Sequence, residues 1–226
     1  VFVVVTGFGS DLRAQNDTEF QGWWEIDGYY RIDAQWRLFG LASLTRYRES
    51  QTADFQVGAH LDFSFFPIAP LLTFEATEYE RYRLFLFRAG YLYARGIGSR
   101  QDEYLEHSVV AEAHIRLNIT EYLLLSDRNR FEGRRINGEG SWRYRNRVRL
   151  ERLTRTAFLP VNPYLSFEVL YDERVETFNR LRTTAGIEWN LSGTFVLDTY
   201  YMYQSDSRFS PATLHVGGVS LSAFLP

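Results

Sequence analysis

Between positions 141 and 155 the chain reads SWRYRNRVRLERLTR, with arginine at 143, 145, 147 and 149 and Glu151 next in the series. The interleaved residues are Trp142, Tyr144, Asn146, Val148 and Leu150. A helix turns 100° per residue and would scatter these guanidinium groups around its axis, whereas a strand turns 180° and puts them all on one face. The segment is therefore a strand with one charged and one mostly apolar face. What the chain can fold into depends on which of the two meets water.

The same period of two recurs in segments of about ten residues. Phe20, Trp24, Ile26 and Tyr30 oppose Gln21, Glu25, Asp27 and Arg31, and Phe55, Val57, Leu61 and Phe63 oppose Asp54, Gln56, His60 and Asp62. Further on, Leu105, Val109, Ala111 and Ala113 oppose Glu106, Ser108, Glu112 and His114, while Arg128, Arg130 and Glu132 share a face. Leu165, Phe167 and Val169 oppose Ser166 and Glu168; Leu181, Ala185 and Ile187 oppose Arg180, Arg182 and Glu188. Turn residues fall between these runs at 33–35, 67–70, 137–140 and 192–193, and residues 96–103 read as a loop. Across 71–95 the alternation slips near 80–82, which reads as one long strand with a bulge. Short connections alternate with longer ones, so the meander is antiparallel and up-and-down.

Composition removes several alternatives. There is no cysteine, so neither a disulfide framework nor a thiolate metal site is available. The net charge is −3, which argues against a nucleic-acid partner. All 25 basic residues are arginine, a cation that keeps its charge in confined spaces and binds carboxylates through a fixed fork. Aromatic residues make up 17%, the type enriched where a surface passes from apolar to wet. No apolar run is long enough for a transmembrane helix, but spanning strands alternate and leave no such run.

A soluble barrel would turn its apolar face inward, yet this face carries more large aromatic side chains than one small interior holds. Arginine on a lipid-facing wall costs roughly 2–4 kcal/mol at mid-bilayer. The guanidinium groups are therefore expected inside, with the rings and aliphatics outside. The expected fold is all-β: a single antiparallel up-and-down transmembrane β-barrel over residues 16–226, with about twelve strands or, as the alternative, ten, because an even number closes in antiparallel register. Residues 1–15 read as the end of a secretory signal or a short first strand. Trp24, Tyr91, Tyr93, Trp142, Trp189, Tyr201 and Tyr203 are expected to form interfacial girdles.

The stretches RNRFEGRR (128–135) and RNRVRLER (145–152), followed by PYLSFEVLYDER, FNRLRTTAGIEWNL, YYMYQ and HVGGVSLS, carry a likeness, joined by EFQGWWEIDGYYRI near the start. With these motifs the chain resembles a bacterial outer-membrane β-barrel family known only as a domain of unknown function. The likeness covers residues 104–226 and 19–48 and is weak over 66–82, where this chain carries extra residues. It implies fold and an outer-membrane location but no activity. The arginine-lined design is also similar, by analogy alone, to the twelve-stranded porins for acidic oligosaccharides. One departure is that Leu225 and Pro226 follow Phe224.

The expected function is a small pore whose wall favours anionic solutes, formed by Arg128, Arg130, Arg143, Arg145, Arg147, Arg149, Arg180 and Arg182. Its acidic partners in the lumen are Glu106, Glu112, Glu132, Glu151, Glu168 and Glu188. The rival is a plugged structural barrel in which these groups only neutralise one another. An outer-membrane lipid hydrolase is the weaker alternative. It needs a serine and a histidine within reach, but His107 and Ser108 face opposite sides, and His60 and Ser64 lie too far apart along a strand. No catalytic residue, metal site or cofactor is expected, and the partners are outer-membrane lipid and small anionic solutes.

Overall fold

The computed structural model describes residues 18–48, 52–67, 83–97, 104–154, 160–208 and 212–225. They form β1 (Thr18–Arg31), β2 (Trp36–Tyr47), β3 (Ala53–Pro67), β4 (Arg83–Ile97), β5 (Leu105–Thr120) and β6 (Leu123–Ile136). The series continues with β7 (Glu139–Arg152), β8 (Val161–Asp172), β9 (Thr177–Asn190), β10 (Phe195–Asp206) and β11 (Thr213–Leu225). Each strand pairs antiparallel with its sequence neighbour, and β1 pairs with β11 to close the ring. The end where β1 begins is called the lower rim below.

Eleven strands among the described residues replace the expected twelve or ten. The closing pair, Thr18 opposite Thr213 through Tyr30 opposite Leu225, is parallel, so the ring is not antiparallel throughout. Parity was the wrong constraint. A parallel ladder satisfies both edges with evenly spaced, slanted bonds, so an odd number also closes. The expected first strand or signal over 1–15, and residues 71–82 of the long strand expected over 71–95, lie outside the described residues. The described part of that strand is β4, which runs through Ile97, past the loop start expected at 96.

Local chemistry sets the hairpins. Asn137 and Gly138 take positive φ (51° and 94°), the geometry that lets a two-residue turn follow the twist of β6 and β7. Asp33 Oδ1 accepts from the backbone N–H groups of Gln35 and Trp36, both at 2.7 Å, and Ser192 Oγ accepts from those of Thr194 and Phe195.

Outward positions are mostly apolar, with rings near both rims and also midway along strands, as at Phe167. Phe131, Trp142, Tyr171 and Phe178 form one chain of ring contacts toward the lower rim, and Trp36, Phe63, Phe65 and Phe87 another, of tilted and edge-on contacts, near the upper. A repeated clamp stands on the lower part of the wall. His107 sits against Tyr91 and Tyr93 just as His215 sits against Tyr201 and Tyr203. Trp24, Tyr91 and Tyr201 are outward but midway along β1, β4 and β10, so these three expected girdle residues do not stand at a rim. Outward arginines fall near strand ends, at Arg46, Arg95, Arg135 and Arg152.

Midway along the β6–β7 hairpin lies an exception. Asp127 is the only carboxylate on an outward strand face among the described residues, and it accepts from Asn129 Nδ2 at 2.8 Å and Asn146 Nδ2 at 2.6 Å. The Tyr144 hydroxyl donates to Asn129 Oδ1 at 2.5 Å. The outer wall is therefore less uniformly apolar at Tyr144 than the strand pattern suggested.

The interior is mixed. Met202, Leu214 and Val216 pack together under Trp23 and Tyr200, and Phe39, Leu86, Leu92 and Leu170 are also buried. Several interior rings lie over a glycine directly opposite on the next strand: Tyr164 over Gly186, Tyr200 over Gly218 and His60 over Gly90. A methyl group on any of these glycines would sit within about 2.5 Å of the ring.

Candidate functional site

Strand register arranges the inward charges in rows around the bore. One row runs across adjacent strands as Arg37, Asp62, Arg88, Glu112, Arg130 and Arg145, with sign alternating until the last step. Asp62 is held by Arg37 at 2.7 Å and Arg88 at 2.6 Å, and Glu112 by Arg130 at 3.1 Å. The guanidinium of Arg88 also lies 3.6 Å over the Phe39 ring. A second row runs Arg128, Arg147, Glu168, Arg182 and Gln204.

Where β6 meets β7, like charges stand directly opposite: Arg128 against Arg147 and Arg130 against Arg145. Such pairs repel unless a third group intervenes. Two buried carboxylates do so. Glu132, 1% exposed, receives Arg130 and Arg143 at 2.5 Å and Arg145 at 3.6 Å. Glu168, 5% exposed, receives Arg145 at 2.6 Å, Arg128 at 3.3 Å and Arg182 at 3.7 Å. Arg149 reaches Glu188 at 2.7 Å and Glu151 at 3.1 Å, and lies over the Tyr164 ring. Arg180 bonds Asp206 at 2.7 Å, and Arg134 joins Glu106 at 2.7 Å.

Arg147 is different. It faces the bore beside Glu168, whose oxygens are occupied by three other arginines, and it makes no ion pair among the described residues.

All eight arginines singled out from the sequence line one interior cavity of about 570 Å³, together with Glu106, Glu112, Glu151, Glu168 and Glu188. Glu132 lies behind them. Lining residues run from Tyr47, Asp54 and Tyr104 at the lower rim to Leu124, Glu151 and Val196 at the upper. The ring places β1 across the bore from β6 and β7. The side across from that pair carries carboxylates: Glu25 on β1 is level in register with Ser220 and Asp198 on the next two strands, with Asp27 one step along. Tyr164 donates to Asp198 at 2.9 Å.

Sequence reasoning did not assign Arg37, Arg88 or Glu25 to the site. Glu25 stood on a recognised polar face, and only closure of the ring puts it opposite the arginines. Arg88 was hidden because its inward neighbours on β4 are Leu86, Gly90 and Leu92, which erase the alternation. The hydrolase candidates do not assemble. His107 is outward and bonded to Tyr91, while Ser108 is buried and donates to Glu106 at 2.8 Å. His60 and Ser64 are both buried but face different partners, Ser64 donating to the Gln35 carbonyl at 3.1 Å. His114 is bonded to Glu112 at 2.7 Å, and no cluster of metal-ligating side chains occurs among the described residues.

Comparison with solved structures gives a fold likeness to the beta domain of the Bordetella autotransporter Brka, with 14% identity, TM-score 0.50, 81% of this chain and 82% of that one. The chain also superposes on the KdgM porin in complex with disordered oligogalacturonate (14% identity, TM-score 0.47, 88% and 90% of the two chains). A bacterial polysaccharide outer membrane secretin gives 7% identity and TM-score 0.49, and 85% of this chain spans 63% of that one. No curated protein matches the chain. Residues 20–215 match one family model, so this chain, whose two consecutive arginine strands bracket the Asn137-Gly138 turn, belongs to the family described as Protein of unknown function (DUF2490).

Proposed function

We propose that this chain is an outer-membrane barrel that holds a narrow wet path for small solutes bearing an anionic group. The observation that carries the reading is the single cavity whose lining includes residues of both rims and all eight arginines of the ladder. A membrane setting is supported by the outer wall. Its strands have 12–16 residues, more than the roughly 9–11 a tilted strand needs to span, and its outward arginines sit near strand ends. Turning the ladder outward would cost roughly 2–4 kcal/mol per arginine in hydrocarbon. Arg147 makes no ion pair among the described residues and is the residue expected to set ionic preference. The reading assigns no catalysis, no cofactor and no nucleic-acid partner; its partners are lipid and solute.

A second reading, a structural barrel whose charges only neutralise one another, is favoured by the Glu132 and Glu168 hubs. Planar-bilayer recording separates the two. The pore reading expects discrete conductance steps and a reversal potential favouring anions in a potassium chloride gradient. Arg147→Glu is expected to weaken or reverse that preference. A flat trace at every salt concentration leaves the structural barrel.

A further inference from the structure

Among the described residues, two charges in the bore have no ion-pair partner of their own, and they belong to opposite walls. Arg147 on β7 makes no ion pair among the described residues, and Glu25 on β1 makes neither an ion pair nor a hydrogen bond among them. Both line the same cavity. Glu25 is within electrostatic reach of Arg147, Arg128 and Arg130, yet none of them closes to contact. The gap follows from topology: β1 and β7 lie on opposite sides of the ring, so their side chains approach across the bore and not along a ladder. Each charge also has company of its own sign. Asp27 and Asp198 stand near Glu25, and Arg128 stands directly opposite Arg147. One Asp27 oxygen is buried without a hydrogen bond.

We propose that this waist of the bore is a binding site for small zwitterions, with a cationic end at Glu25 and Asp27 and a carboxylate end at Arg147 and Arg128. The inference names the solute class for the wet path above and rests on that path being wet. The physical reason is discrimination by repulsion as much as by attraction. A simple anion that reaches Arg147 faces the Glu25 carboxylate, and a simple cation at Glu25 faces the guanidinium pair. A molecule with opposite charges at its two ends satisfies both walls and brings no net charge into the barrel. The rest of the network leaves these two groups free for it, because Glu168 is already shared by Arg128, Arg145 and Arg182.

The test is calorimetric binding to the purified full chain in detergent, using 5-aminopentanoate, pentanoate and pentylamine as probes. The amino acid is expected to bind about tenfold or more tightly than either singly charged probe. Glu25→Gln is expected to bring 5-aminopentanoate down to the level of pentanoate, and Arg147→Gln to bring it down to the level of pentylamine. Equal binding of 5-aminopentanoate and pentanoate by the unaltered chain, or no binding of any probe, overturns the site; this comparison does not depend on a variant folding. Conductance is read separately. A barrel that binds the zwitterion without conducting keeps the site and sinks the pore, and one that conducts without preferring it sinks the site alone.

Discussion

At the residue scale the interior is organised around carboxylates, although arginine is what the eye finds in the sequence. Glu168 holds Arg128, Arg145 and Arg182, and Glu132 holds Arg130, Arg143 and Arg145. Removing one member of a buried charge network leaves the others uncompensated, at a cost larger than the net worth of the intact network. Glu168→Gln keeps the shape and removes the charge. It is expected to destabilise the barrel by about 3–5 kcal/mol, read as a lower urea midpoint in lipid vesicles. Adding Arg145→Gln to that variant is expected to recover part of the loss, because residues that share a partner are not additive. A simple sum of the two single losses would show that Glu168 and Arg145 act independently. This hierarchy was only half legible in the sequence. The ladder at 143–149 and its acidic partners could be named from alternation, but nothing in a linear pattern tells which glutamate serves three arginines or which arginine is left over. That depends on side chains meeting across strands far apart in sequence.

At the element scale the strands were readable wherever one face was polar and the other apolar, as in β5, β7 and β9. Reading failed on β4, where Leu86, Gly90, Leu92 and Ala94 point inward beside Arg88 and both faces are apolar. Those inward glycines are a packing device. A ring can lie flat against the wall only where the opposite residue lacks a Cβ, as Tyr164 does over Gly186 and Tyr200 over Gly218. Gly186→Val or Gly218→Val is expected to push the ring off its seat and cost about 1–3 kcal/mol by overpacking. Displacing Tyr164 would also disturb its bond to Asp198. Gly133→Val, where an added Cβ meets nothing within 4 Å, is the matched control and is expected to change the unfolding midpoint little. Equal losses at all three positions would mean that backbone freedom, not the ring contact, is what these glycines supply.

For the whole molecule, the proposed membrane setting makes a prediction that two adjacent residues decide. Trp24 is 47% exposed on the outer wall, while Trp23 points inward onto Met202, Leu214 and Val216. In vesicles of brominated lipid, Trp24→Phe is expected to remove a quenched component of the tryptophan fluorescence, and Trp23→Phe to leave quenching unchanged. Quenching that is lost with Trp23, or that survives the loss of Trp24 undiminished, would contradict the assignment of the two faces.

What the sequence determined by itself was the local rule: period-two alternation makes strands, short turns make neighbours antiparallel, and the face carrying arginine is one continuous surface. Each of these depends on residues close together in the chain. The tertiary structure alone decided the closure. Among the described residues it sealed eleven strands with a parallel β1–β11 pair, set Glu25 opposite Arg147, and left Arg147 without an ion pair. Those outcomes depend on which strand ends up across the ring, and alternation along a strand, identical for every closure, carries no record of that choice.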